Sequence, residues 1–326
     1  MALSRRHLLK AASGAAALPL LGIKAQAQST YPNKPIRLYV GFAPGGSTDT
    51  VGRLIGQSLG ERLGQSFVIE NRPGAGTNIA TEAAIRATPD GYTLLMVGPS
   101  AAINATLYKE LNFNFLRDAA PISSVASQAQ VMLANPKLPF KNVGECIAYG
   151  KANPGKLTIA SAGIGSIGHL SGELFKMKAG IEMVHVPYRG AAPALADLVS
   201  GQVDISFAGI AGAVEFVRAG TLRALAVSTK TRSDSLPDVP TVAEFVPGYE
   251  SNDWFGMAAP KNTPPETIAL LNKEIAACLA DSKLKERLNQ LGCAPLAMSP
   301  QDFGALVRDD TQKWGEVIQT AKITPI

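Results

Sequence analysis

The feature that most constrains this chain is a grammar it uses twice: an apolar strand, a glycine-rich turn, then a helix. Ile36 to Phe42 reads as a strand, Ala43-Pro44-Gly45-Gly46 as a loop, and Ser47 or Thr48 to Leu63 as a helix. Phe67 to Glu70 is a second strand, ended by Asn71-Arg72-Pro73-Gly74-Ala75-Gly76. A helix from about Asn78 to Ala87 stops at the turn Thr88-Pro89-Asp90-Gly91, and Tyr92 to Val97 is a third strand. The cycle reopens with the strand Leu157 to Ser161 and a helix over about Ser166 to Met177. The strand Glu182 to Val186, a helix near Ala191 to Ser200 and the strand Val203 to Ala208 follow. Strands alternating with helices point to α/β layering around a largely parallel sheet.

Two long apolar segments, Ile122 to Ala134 and Thr221 to Ser228, read as strands that cross from one lobe to the other. Two crossings make the first lobe discontinuous, with residues 28–128 and 230–326 in lobe 1 and 129–229 in lobe 2. Helices near Pro265 to Ala280, Ser282 to Leu291 and Pro300 to Thr320 belong to the returning part. The expected fold is α/β, two lobes joined by two crossover strands with a ligand cleft between them. Hinge closure over a ligand is a standard use of that geometry. A mature length of about 300 residues suits two domains better than one.

The N-terminus carries its own chemistry. Ser4-Arg5-Arg6-His7-Leu8-Leu9-Lys10 precedes the apolar stretch Ala11 to Ile23, and Ala25-Gln26-Ala27 follows. A permanent membrane span needs about 20 apolar residues, so the stretch reads as part of a twin-arginine export signal cut near Ala27. That reading places the mature protein in the periplasm. Residues 1–27 hold four basic residues and no acid, so the 31 basic residues fall to 27 against 26 acidic ones. Near-neutral charge gives no electrostatic reason for a nucleic-acid or anionic-membrane partner. Cys146, Cys278 and Cys293 lack metal-ligand spacing; either Cys278 and Cys293 pair or the thiols are free and buried.

Three strand-to-helix turns carry the candidate chemistry. Phe42-Ala43-Pro44-Gly45-Gly46-Ser47-Thr48 opens a helix, where free amides and the helix dipole suit a carboxylate, unless the turn is only a turn. Asp49 reads as a loop-ordering cap. Gly163, Gly165 and Gly168 match G-x-G-x-x-G, but the acid that a dinucleotide site needs at the next strand end is absent. The plainer reading is a second anion-accepting turn with the Ser166 hydroxyl as a donor. Ser166 lacks G-x-S-x-G spacing because residue 164 is Ile. His169 either touches ligand or is structural, and His185 alternates with Val184 and Val186 as a structural residue. Arg189 pairs with a carboxylate or stays exposed. Asp204 reads as a structural hydrogen-bonding residue, and Trp254 and Phe255 either line the cleft or pack in the core. No catalytic residue, metal or cofactor is expected.

These segments together resemble a known family. Tyr31-Pro32-Asn33-Lys34-Pro35-Ile36, Phe42 to Asp49, Glu70 to Gly76 and Asp90-Gly91-Tyr92-Thr93-Leu94-Leu95 carry the likeness. So do Gly165-Ser166 with His169-Leu170, Pro187-Tyr188-Arg189-Gly190, Gly201-Gln202-Val203-Asp204 and Ala259-Pro260. In this order they resemble the Bug family of tripartite tricarboxylate transporter receptors, the TctC-like extracytoplasmic solute-binding proteins. The resemblance implies a type II periplasmic-binding-protein fold and a small carboxylate ligand: a di- or tricarboxylate, an acidic amino acid or an aromatic acid. It implies transporter subunits of the tripartite type as partners, and a monomer is the default. By the same resemblance Ala43 to Thr48 and Gly165-Ser166 grip the carboxylate, and Ser100 faces the ligand. The family often has a second proline where Ala43 stands and an Asp-Pro pair near Asn114-Phe115; this chain has neither. Two other readings share the pattern: a ligand-sensing receptor that feeds a signalling system, and an exported NADP-dependent oxidoreductase built on the Gly163–Gly168 turn.

Overall fold

The first lobe grows from β1 (Ile36–Val40), followed by α1 (Ser47–Leu63), β2 (Phe67–Asn71), α2 (Asn78–Ile85), β3 (Thr93–Val97), α3 (Ser100–Leu107) and the short α4 (Phe115–Asp118). β4 (Ala119–Ala134) then leads into the second lobe. That lobe holds α5 (Val143–Ala152), β5 (Leu157–Ser161), α6 (Ile167–Ala179), β6 (Met183–Pro187), α7 (Ala191–Ser200), β7 (Ile205–Gly209), α8 (Ile210–Arg218) and β8 (Arg223–Val227). The chain returns through β9 (Asn252–Pro260), α9 (Pro265–Ala280), α10 (Ser282–Gln290), β10 (Cys293–Pro295) and α11 (Pro300–Thr320). This computed structural model describes residues 31–321 and 323–326, so the export signal expected over 1–27 lies outside the described residues. No helix among the described residues is long and apolar enough to cross a membrane.

The strands run in the order β2-β1-β3-β9-β4-β7-β5-β6, with β8 and β10 also on β4. β1 is parallel to β2 and β3, and β5 is parallel to β6 and β7. All five residues of β3 and of β7 are buried, as expected of sheets covered on both faces by helices. α1 presents Val51, Ile55 and Leu59 to its sheet at helical spacing.

The connection between lobes is one strand shared by two sheets. β4 pairs β9 over Ala119 to Ala129, then β7 over Gln130 to Ala134. The second crossing differs from the expectation. The segment expected to cross, Thr221 to Ser228, forms β8, which pairs with Val131 to Ala134 of β4. The chain leaves at Ser228 and comes back at Ser251, whose amide donates to the Ser228 carbonyl at 3.0 Å. In between, Val242, Val246 and Tyr249 are buried with Phe140, Phe175 and Phe207 of the second lobe. β9 makes the crossing instead, because antiparallel pairing with β4 and β3 is available to it alone. The three cysteines are free and buried.

Candidate functional site

Five helices of eight or more residues begin on one cavity between the lobes. Its wall includes Gly46, Ser47 and Thr48 at the start of α1, Pro99 and Ser100 at α3, Ile167 and Gly168 at α6, Ala191 at α7 and Gly209 before α8. The amides of Ser47, Thr48, Ile167, Gly168 and Ala191 lie in first turns, where a helix offers no internal acceptor, and they donate to no acceptor among the described residues. Each such terminus favours a negative charge by roughly 0.3–1 kcal/mol when exposed, and by more when enclosed. The Ser100 hydroxyl, on a residue 4% exposed, also faces this wall. Phe42, Phe207 and Phe255 supply apolar surface. The cavity is tight, about 60 Å³.

Its walls touch across the cleft. The Ala43 amide donates to the Arg189 carbonyl at 3.1 Å, and the Gly212 amide donates to Ser47 Oγ at 3.1 Å. Gly190 permits the first contact. Its φ is 153°, and a Cβ there would stand 2.9 Å from Ala43 Cβ and 3.0 Å from Ala43 N.

Behind the wall, buried side chains fix the loops. Asp49 Oδ2 accepts from the Gly45 amide at 3.0 Å, and its Oδ1 accepts from Asn71 Nδ2 at 2.9 Å. Arg53 closes the group at 2.9 Å. Burial opposes the charge on Asp49, but the bonds from Arg53, Gly45 and Asn71 outweigh it and hold the carboxyl below its usual range. In the second lobe, Ser166 Oγ caps α6 by accepting the His169 amide. The His169 and His185 rings stack at 4.2 Å, and burial pulls them down to about 4 and about 3. Asp204 accepts from both the amide and the hydroxyl of Thr158 at 2.8 Å, away from the cavity wall.

The floor is formed by the crossing strands. Gln128 and Gln130 of β4 donate through their Nε2 atoms to Asp253 Oδ2 of β9, at 2.7 and 2.9 Å. Burial pushes the Asp253 carboxyl up to about 7, against the pull of these amides and the Trp254 amide and with help from the Asp310 charge. No lysine or arginine lies among the described residues of the wall.

The sequence profile of the tripartite tricarboxylate transporter family receptor matches residues 51–323. This chain belongs to that family. The receptor is 37% identical to Protein BugT of Bordetella pertussis over 293 residues, covering 89% of this chain and 90% of BugT. Among solved structures, it is similar to the Rpa4515 protein of R. palustris with adipate, at 36% identity and TM-score 0.89, over 91% of this chain and 100% of the other. It is also similar to the periplasmic binding protein BugD, at 35% and 0.87 over 90% and 99% of the two chains. MatC of Rhodopseudomonas palustris with bound malate follows at 32% and 0.84, over 88% and 100%. These likenesses extend to the two-lobe architecture.

In the receptor, Phe42, Gly46, Ser47, Thr48 and Ser100 are brought together on the cavity wall. Ala43, Pro44 and Gly45 form the outer part of the first loop, and Pro44 and Gly45 are exposed. Gly165, Ser166 and His169 stand one layer behind Ile167 and Gly168, which reach the wall in their place. Arg189 is exposed and lines a separate hollow at the cleft mouth with Tyr188 and the Pro73–Thr77 turn. Phe255 reaches the wall, whereas Trp254 packs edge-on against Phe303 and donates to Asp310 at 2.6 Å. Gln128, Gln130 and Asp253 were missed by sequence reasoning. Their signal was the pair of glutamines at i and i+2 in a long strand, a spacing that puts both on one face.

Proposed function

We propose that this receptor captures a small carboxylate between its lobes and hands it to membrane subunits of a tripartite tricarboxylate-type transporter. One observation carries the reading: five helix N-termini converge on a cavity with no cationic side chain among the described residues. Such a site holds an anion by backbone amides and aligned dipoles, which places no strong demand on the rest of the ligand. The adipate and malate of its structural relatives are in keeping with this chemistry. Contacts that bridge the lobes around the cavity suit capture by closure, so ligand and closed form stabilise each other.

The protein acts, on this reading, in the periplasm after removal of residues 1–27, as a monomer that binds and releases without turnover. The placement of both mature-chain histidines behind the wall, stacked on each other, supports binding rather than acid–base chemistry. Phe42, Gly46, Ser47, Thr48 and Ser100 would contact the ligand, with Gly165, Ser166 and His169 positioning the opposite helix start and Asp49 ordering the first loop.

A thermal-shift panel on protein unfolded and refolded to strip ligand tests the proposal. A ligand that binds only the folded state adds about 2.7 kcal/mol at a hundredfold excess over its dissociation constant. A clear upward shift is expected with at least one acid among aliphatic dicarboxylates, hydroxy acids, acidic amino acids and aromatic acids. No shift across that panel contradicts carboxylate capture.

A further inference from the structure

The cavity has a donor side and an acceptor side. The helix starts offer amides, whereas the floor offers oxygen. Gln128 is held at both ends, its Nε2 on Asp253 at 2.7 Å and its Oε1 accepting the Ala211 amide at 3.1 Å. Gln130 Nε2 likewise donates one hydrogen to Asp253 at 2.9 Å, and no donor among the described residues reaches its Oε1. The Ser206 hydroxyl gives its proton to the Ala160 carbonyl at 3.0 Å, so toward the cavity it too can only accept. Asp253, Gln130 and Ser206 all line the cavity, and each is at most 6% exposed. No ion pair compensates Asp253 among the described residues, and the charge of Asp310 acts on it with the same sign.

We propose that Asp253, fixed by Gln128 and Gln130, is a specificity-determining residue that selects a carboxylate bearing a hydroxyl or amine at its far end. A second carboxylate there is rejected. This deepens, and rests on, the reading of the site as a carboxylate trap. The physics is that of an unmatched buried group. A hydroxyl or ammonium satisfies the Asp253 oxygens, whereas a second carboxylate sets two carboxyl groups face to face, which stay together only by sharing a proton. Sites built to pair a ligand's donor discriminate strongly against analogues that lack it, and repulsion adds to that difference.

The test compares acids that differ only at the far end: 4-hydroxybutyrate against succinate, and 6-hydroxyhexanoate against adipate, by titration calorimetry on refolded full-length protein. In whichever length fits, the hydroxy acid is expected to bind at least tenfold tighter than the diacid. Asp253→Asn, whose amide can donate, is expected to shrink that ratio below threefold, mainly by a gain for the diacid. A wild-type preference for the diacid overturns the proposal whether or not the variant folds. So does an unchanged ratio in a folded Asp253→Asn protein. Failure of the underlying reading looks different: neither acid of either pair binds, or the matching diols bind as well as the acids.

Discussion

A carboxyl that burial pushes up to about 7, from an ordinary value of 3.8, takes up a proton on folding at every pH between those values. Asp253 is such a group, and its sign is fixed. The folded state binds more protons than the unfolded state, so this residue lowers stability as pH rises from about 4 to 7, and the loss levels off above 7. Its ordinary counterpart is Asp49, whose three neighbours keep it charged, so its contribution is present above its unfolded pKa and lost on acidification. Asp253→Asn should therefore match wild type in urea unfolding at pH 4 and exceed it at pH 8. The expected gap is on the order of 1–3 kcal/mol. A difference that does not change with pH would show that Asp253 is not the strained acid its burial implies.

Among the elements, those with boundaries written in Gly, Pro and caps were legible in the sequence. α7 (Ala191–Ser200), α9 (Pro265–Ala280) and α11 (Pro300–Thr320) start and stop at the expected residues, each with Gly or Pro at its first turn or just before it. β9 (Asn252–Pro260) and α8 (Ile210–Arg218) were not, because their signals are not local. β9 is defined by pairing with β4 and β3, and α8 follows β7 with no intervening turn. The loops of the candidate site announced themselves through glycines, yet the residues that reach the cavity are set by which helix turn faces it. That is why Ile167 and Gly168 line the wall while Gly165 and Ser166 sit behind. The loop before α7 gives a direct test of closure. Gly190→Ala inserts a Cβ against the Ala43 backbone in the closed arrangement. Calorimetry should show at least a tenfold loss of affinity with a fall in melting temperature of only a few degrees; unchanged affinity would mean that the Ala43–Arg189 contact is irrelevant to binding.

At the scale of the molecule, two lobes share β4, and across the cleft an apolar cluster packs Ile103, Leu107, Trp314 and Ile318 of the first lobe against Ile167 and Leu170 of the second, beside a few hydrogen bonds. Ser47–Gly212 and Ala43–Arg189 are neutral hydrogen bonds, each worth about 0.5–1.5 kcal/mol net. Hydrogen bonds of that size do not by themselves lock a closed form, so the differential affinity of a ligand for that form can shift the balance. On the proposed reading, the free charge of the ligand is met by helix N-termini rather than by cationic side chains. The most direct measurement is calorimetric titration of refolded protein with the best-bound acid from the thermal panel and with its primary amide, which keeps size and shape but removes the charge. The amide is expected to bind at least a hundredfold more weakly than the acid. An amide that binds within threefold of the acid would contradict that reading.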